Sequence, residues 1–379
     1  GFNAAEQFID VSGDHVYLAP SDLDARGPCP GLNVLANHGF ISRDGITNYD
    51  EVIAASMQVF GFGEDVATIL AATGIAMSGS EDLWTLSIGG PTEKTAWNST
   101  GNLKYPTRGL SGTHISFEGD ASPTRQDLYK NTSVEDNIHL QLPVFIDLYN
   151  LESSKPSGHE DYNLAVLGKH KMSRIADSIA NNMHFFAGPL NAPFGENAAH
   201  VFIASQFANH SAECPAGRLD RESLKAFFGV TGGDDPSTFV YTKGTERIPE
   251  QGWYRRPLAD PYNLTKVNAD FVTMYKANSG LLYHFIGGNT WNNYNEFAPI
   301  DIGTLTGGNY SAETMYEGNN MLCLGATGGG FLQPLFLDQL YHNTTPATEL
   351  LAVGGPFVKL LNCPEWDTVD MNLFEPYLG

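Results

Sequence analysis

Arg26-Gly27-Pro28-Cys29-Pro30-Gly31-Leu32-Asn33-Val34-Leu35-Ala36-Asn37-His38-Gly39-Phe40 is the stretch on which the reading of this chain turns. Pro30 has no backbone N–H to donate and its φ is already set near the helical value, so it predicts the first residue of a helix running through Leu32, Leu35 and Ala36. Cys29 then sits at that helix's N-terminus. Unsatisfied N–H groups and the positive end of the helix dipole favour a thiolate there and make it a better metal ligand. The bland alternative is a buried structural cysteine.

Outward from this stretch the patterning is mainly helical. Residues 1–25 read as an extended, surface-wrapping arm. Asp50 looks like the N-cap of a long helix with Ile53, Ala54, Met57 and Phe60 at helical spacing, interrupted near Gly61 and Gly63 and resuming from Asp65 through Ile69 and Ala72. Ser78 to His114 has no sustained period and reads as loop. Helices are predicted at Ser122–Lys130, Ser133–Asn150, Tyr162–Asn182, Glu196–Phe207, Asp220–Phe228 and Lys266–Lys276. In the helix from Tyr162, Val166, Ile175 and Ile179 face a core, with Lys169, Lys171 and Arg174 among the polar positions. Beyond about 280 the chain is loop-rich until an apolar helix near Leu332–Tyr341. The expected class is mainly α, one domain over 1–379 with few short strands near the termini, the last hundred residues forming a loop-rich segment.

Composition narrows the function classes. The 379 residues, 42% of them hydrophobic, are enough for a substantial core. Forty-three acidic residues against twenty-one basic ones give a net charge of −22, which repels nucleic acid and anionic membrane. The apolar runs fall short of the roughly 18 residues that a membrane span needs, and the chain reads as soluble and mature, without a signal peptide. Six N-x-Ser/Thr sequons occur, at Asn98, Asn131, Asn209, Asn263, Asn309 and Asn343. Average composition supplies roughly two or three in this length, so the excess points to a secreted, extracellular glycoprotein. Of the four cysteines, Cys323 and Cys363 are the expected disulfide. Closing a loop of about 40 residues would tie down the C-terminal segment for roughly 3 to 4 kcal/mol. Cys214 is the spare, leaving the protein either a monomer or a dimer.

A second stretch, His114-Ile115-Ser116-Phe117-Glu118-Gly119-Asp120-Ala121-Ser122-Pro123-Thr124-Arg125, offers hard oxygen donors from Glu118, a glycine carbonyl and Ser122 within five residues. Asp120 and Ser122 are also credible N-caps, and capping alone is the alternative. A third, Phe194-Gly195-Glu196-Asn197, puts a carboxylate at the opening of a helix, where it is either a positioned acid or an ordinary first-turn acid.

Together these strings resemble the fungal haem-thiolate peroxidases, the chloroperoxidase and unspecific peroxygenase family. The resemblance runs through matched motifs from about residue 16 to 230, then more loosely to Cys323 and Cys363. It implies haem b with the Cys29 thiolate as axial iron ligand and residues 1–280 as the haem-binding helical core. It also implies a Mg²⁺ held by the Glu118 carboxylate, the Gly119 carbonyl and the Ser122 hydroxyl. Chloroperoxidase has histidine at the middle of that triplet, so Gly119 argues for the peroxygenase branch. Glu196 matches the distal acid–base that moves the proton of hydrogen peroxide. Many members carry an arginine seven residues before that glutamate. This chain has Pro189 there, and the nearest counterpart run is His184-Phe185-Phe186, so His184 or His200 is the expected partner of Glu196. Phe60, Phe62, Phe117, Phe185, Phe186 and Phe194 are candidates for an apolar funnel. The resemblance places Phe62 and Phe117 there, with Ile69 and Leu70 beside them.

The implied activity is hydrogen-peroxide-dependent oxygenation of small apolar or aromatic organic substrates, with one-electron peroxidase activity beside it. A haloperoxidase of the same family is the nearest rival, and a non-catalytic secreted binding glycoprotein on the same fold is the rival of another class. No His-Glu-x-x-His helix, C-x-x-C pair or Walker loop is present.

Overall fold

Asn48, not Asp50, caps the first long helix: its side-chain oxygen accepts the Glu51 amide at 3.0 Å. The structure, a computed structural model, describes residues 1–80, 82–92, 109–114, 118–131, 136–188, 197–327, 344–364 and 369–377. The N-terminal arm carries one helical turn, α1 (Ala4–Gln7), and the helix read from Pro30 is α2 (Pro30–Asn37). β1 (Ile46–Asn48) pairs antiparallel with β2 (Thr85–Ser87), flanking α3 (Tyr49–Phe60) and α4 (Glu64–Ser78). Gly61 ends α3 at φ 67°, a left-handed conformation that costs glycine least, and Gly63 caps α4. The break carries Phe62, clamped by Tyr262, which donates its N–H to Gly61 O and accepts from Gly63 N, both at 2.9 Å.

The middle of the chain supplies α5 (Leu142–Asn150), α6 (Leu164–Asn181), α7 (Asn197–Gln206), α8 (Arg221–Phe227) and α9 (Leu264–Ala277). Two expectations fail here. Residues 122–130 are turns and bends rather than a helix. Ala121 is left-handed at φ 52°, and the Ala121, Ser122 and Arg125 carbonyls accept from Lys171 Nζ and from Arg174 Nε and Nη2, at 3.3, 2.9 and 3.2 Å. The helix expected from Ser133 begins only at Leu142. The Asp136 side chain instead accepts the Ile138 and His139 amides and folds a turn, while residues 132–135 lie outside the described residues.

The same bonds overturn the polar face assigned to α6. Lys171 and Arg174 are 1% and 5% exposed, because they donate to the carbonyls of the 121–125 loop, which buried backbone must satisfy. Lys169 is exposed as expected. Asn163 caps α6 through the Ala165 and Val166 amides.

α3 packs on α4, and α6 on α7 and α9. The core has an aromatic centre, with Phe207 stacked on Phe227 at 4.3 Å and Trp253 edge-on to Phe227 at 5.3 Å. The strands are internal rather than terminal. β3 (Phe186–Ala187), β6 (Gly287–Asn289) and β7 (Phe297–Pro299) form one antiparallel sheet, and β4 (Val230–Thr231) pairs with β5 (Val240–Tyr241). The C-terminal segment contributes short helices: α10 (Gly280–Tyr283), α11 (Ile302–Leu305), α12 (320–327), α13 (Thr345–Ala352) and α14 (Gly355–Lys359). Cys323 and Cys363 are bonded, the pairing read from the sequence, and α13 lies on α4. Residues 332–341, expected to be helical, lie outside the described residues.

Candidate active site

The Cys29 loop is fixed by its own motif. Asn33 on α2 accepts the Gly27 amide at 3.1 Å and donates to the Gly27 carbonyl at 3.0 Å. A Cβ on Gly27 would collide with the Ile88 carbonyl oxygen, so only glycine lets the loop press against β2's end. His38 closes α2, with Nδ1 bonded to His15 O at 2.8 Å and Nε2 accepting the Ile248 amide at 3.1 Å. That second bond requires the proton on Nδ1. The motif's Asn and His are thus clamps, and Cys29 is held as the N-cap residue of α2 with extended backbone angles.

Cys29 faces a partly open cavity. Its walls are Leu32 and Leu35 of α2, Val52 and Phe60 of α3, Phe62, Leu70, Ala71 and Gly74 at and beyond the helix break, and Ala198, Ala199, Phe202, Ile203, Gln206 and Phe207 at α7. Polar groups enter from Glu118, Thr124 and Arg125, from Ser56 of α3 and from Gln206 of α7. The sequence predicts a stabilised thiolate. Burial instead pushes the Cys29 thiol up, against the Leu32 and Gly31 amides and the Arg125 guanidinium, which pull the other way. The protein thus directs two backbone donors and a guanidinium charge at the sulfur, against the cost of burial.

Glu118 is 2% exposed. Its Oε2 lies 2.9 Å from His114 Nδ1, and its Oε1 is buried without a hydrogen-bond partner. The rest of the loop is pinned from behind. Asn182 donates to Asp120 Oδ2 at 2.8 Å and to Asp127 Oδ2 at 3.0 Å, and Asp127 Oδ1 accepts the Ala121 amide at 2.9 Å. Ser122 is buried and its hydroxyl accepts the Arg125 amide at 3.3 Å. Arg125, quoted in the sequence but given no role there, joins the two motifs: its Nη1 donates to Pro28 O, and its charge faces both Glu118 and Cys29. Burial lowers its pKa. Behind the Cys29 loop, burial lifts the Glu246 carboxyl to about 7, against an Asn33 hydrogen bond and the charges of Arg26 and Arg125. The sequence carries little signal for either: Glu246 stands beside Arg247 and Arg125 two residues before Asp127, so each reads equally well as part of a solvated surface.

Of the residues picked from sequence, Cys29, Phe62, Leu70 and Glu118 line the cavity together, with Gly119 and Ser122 on the same loop. Ile69, one helical step from Leu70, turns to the other side and meets Gly354. Phe186 sits in β3 and packs on Phe374 and Tyr377 at 6.2 and 5.0 Å, and Phe185 meets Phe297 at 6.2 Å. His184 is exposed and edge-on to Tyr129 at 5.2 Å. His200 is fully buried, with Nε2 3.3 Å from His170 Nδ1 across the α6–α7 interface, and is not among the cavity-lining residues. Burial, with Arg174 and Lys171 close by, pushes His170 down to about 3. Glu196, Phe117 and Phe194 lie outside the described residues.

The walls and donors fit the haem that the resemblance implies. The cavity is mostly apolar, a sulfur sits at a helix N-terminus, and a carboxylate with one unpartnered oxygen feels the charge of a half-buried guanidinium. Among the described residues no group of three His, Cys, Asp or Glu side chains is arranged to hold a metal ion by itself, so a cation here would lean on carbonyl and hydroxyl oxygens as well.

Comparison with known proteins agrees. The profile of Peroxidase, family 2 matches residues 15–258. The dothistromin biosynthesis peroxidase of Dothistroma septosporum is 41% identical over 382 residues, spanning 100% of this chain and 88% of that protein. The aromatic peroxidase of Fusarium equiseti is 35% identical over 96% of this chain and 81% of its own length. The aromatic peroxygenase of Cyclocybe aegerita is 32% identical over 56% of this chain and 53% of its own. The matched span takes in the Cys29 loop, the Glu118 loop and α7, and by it the chain belongs to peroxidase family 2, the fungal haem-thiolate peroxidases.

Proposed function

We propose that this protein is a secreted haem-thiolate peroxygenase, with Cys29 as the iron ligand and a divalent cation, Mg²⁺ by preference, on the Glu118 loop. One observation carries the reading: a cysteine at a helix N-terminus, with the Leu32 and Gly31 amides directed at its sulfur, faces a large apolar cavity. When bound, a thiolate-ligated haem supplies cleavage of the peroxide O–O bond and transfer of oxygen to substrate. Cys29 would hold the iron. Glu118 Oε1, left without a protein partner, the Gly119 carbonyl and the Ser122 hydroxyl are hard oxygen donors suited to Mg²⁺. Arg125 offsets the negative charge that the sulfur and the Glu118 carboxylate bring to one end of the site.

Phe62, Leu70, Phe202 and Phe207 exclude water and favour a hydrocarbon or aromatic ring in the remaining space. Glu196, which opens the approach to α7 in sequence, takes the proton from one peroxide oxygen and returns it to the other. Gly119 in place of histidine supports oxygenation over halide oxidation. The names of two relatives, an aromatic peroxidase and an aromatic peroxygenase, support an aromatic substrate. Secretion is supported by the disulfide and the excess of sequons. Asn131 and Asn309 are exposed, whereas Asn209 and Asn263 are half-buried; the Asn309 Nδ2, where a glycan would attach, donates to the Thr306 carbonyl at 2.9 Å, so Asn131 is the preferred glycan site. No helix among the described residues is long and apolar enough to cross a membrane.

The absorption spectrum of the reduced protein under carbon monoxide tests the ligand. A thiolate moves the band strongly to the red, and Cys29→Ser abolishes that shift. An unshifted band in undenatured parent protein sinks the assignment. Product analysis with an alkylbenzene, with and without chloride, then separates oxygenation from halide oxidation.

A further inference from the structure

We infer that Tyr262 is a one-electron relay, a phenol placed behind the cavity wall to pass single electrons between the peroxide-oxidised site and donors too large to enter it. The inference rests on the haem reading above, since the electron acceptor is the haem once peroxide has oxidised it. Tyr262 is 1% exposed and lies directly behind two cavity-lining rings. Phe62 stacks on it at 6.0 Å and 29°, and Phe202 meets it edge-on at 6.3 Å and 78°. Its backbone is bonded on both sides to the helix break that carries Phe62, so the ring-to-ring distance is set by main chain rather than by a mobile side chain.

The hydroxyl has the partner that phenol oxidation needs. Tyr262 Oη donates to Asp270 Oδ2 at 2.8 Å, and Ser205 Oγ donates to the same oxygen at 2.6 Å. Loss of an electron makes a phenol strongly acidic, so the proton must have somewhere to go. Here the O–H bond breaks, the electron leaves toward the cavity, and the proton passes to Asp270, giving a neutral phenoxyl radical and a neutral carboxylic acid. The Arg256 guanidinium, 5.3 Å from the ring centroid, penalises any positively charged ring and so ties electron loss to proton loss. An external phenol or aromatic amine then returns one electron, and Asp270 returns the proton, restoring Tyr262. Asp270 is half-buried rather than sealed, which puts this end of the relay toward solvent. Trp253 is another large oxidisable ring near the cavity wall, edge-on to Phe60 at 6.3 Å, but its Nε1 donates to the Phe207 carbonyl, which takes no proton.

The experiment is rapid freeze-quench electron paramagnetic resonance of the holoenzyme mixed with hydrogen peroxide in the absence of organic substrate. The expected result is an organic radical signal that narrows when the protein is grown on ring-deuterated tyrosine. Tyr262→Phe keeps the ring and its stacking, retains the Soret absorption per protein and loses most of that signal. Asp270→Asn slows its appearance, because an amide cannot accept the proton. A signal unchanged by Tyr262→Phe or by deuteration overturns the relay while leaving the haem reading intact. If Tyr262→Phe folds poorly, Asp270→Asn decides the point, because it leaves the ring in place and removes only the proton acceptor of Tyr262; an unchanged rate of signal appearance in that variant overturns the relay. A parent protein without a Soret band overturns both.

Discussion

Arg125 donates its Nη1 to the carbonyl oxygen of Pro28, the residue immediately before Cys29. Ninety-seven residues apart in sequence, the two motifs of the candidate site are therefore one structure, joined by a half-buried cation whose charge also faces Glu118. Arg125→Met would leave the Pro28 carbonyl and the Glu118 carboxylate without that charge. Losing a charge-assisted hydrogen bond of this kind costs about 1.5 to 3 kcal/mol. The expected outcome is a lower unfolding midpoint together with weaker haem retention on gel filtration. Normal retention in the variant would show that Arg125 supports the fold alone.

Gly27→Ala should be among the most damaging single-carbon changes in the chain. The added Cβ meets the Ile88 backbone oxygen, and backbone cannot move aside as a flexible side chain does. Displacing the loop breaks the two Asn33 bonds to Gly27, for a loss of about 2–4 kcal/mol in denaturant titration. An alanine variant of parental stability would mean that the loop packs less tightly against the end of β2 than the geometry requires.

Acid stability should carry the signature of Asp177. Burial raises its pKa, but the Lys130 hydrogen bond and the charges of Arg174 and Lys130 outweigh burial and hold the carboxyl below its usual range. Lys130 and Arg174 each approach Asp177 Oδ2 at 2.7 Å. A folded pKa below the unfolded one contributes stability above the unfolded value, near pH 3.9, and loses it as pH falls through the folded value. Asp177→Asn should therefore cost about 1 kcal/mol at pH 7, discounted for partial exposure, and almost nothing near pH 2. Urea titrations at the two pH values measure the difference, and an equal cost at both would assign the loss to packing.

Glu196→Gln should slow the reaction with peroxide by about 10²- to 10⁴-fold, the range for losing a positioned general base, with the haem spectrum unchanged. Stopped-flow mixing with peroxide reads the rate. The two histidines then separate. His200 is buried against His170 and His184 is exposed on Tyr129, so if either assists Glu196, only its alanine variant changes the pH dependence of that step.

Sequence alone determined the chemistry-bearing loop and the elements next to it. Pro30 starts α2, Gly61 and Gly63 break the long helix, and Asp220 caps α8, because each depends on local backbone restriction or a local hydrogen bond. Cys29 was legible for the same reason, Glu118 and Phe62 through the family resemblance of their motifs, and the Cys323–Cys363 bond because its loop ties down the C-terminal segment. Tertiary structure decided what long-range partners decide. Residues 122–130 keep helix-like composition but spend their carbonyls on Lys171 and Arg174, side chains that a pattern reading assigns to solvent. Arg125 and Glu246 look like surface charges until the fold turns their charges toward Cys29, with Glu246 buried and Arg125 half-buried. At Cys29 the local effect read from the sequence is present, in the Leu32 and Gly31 amides that favour the thiolate, and the fold adds an opposing one, burial, that no local pattern shows.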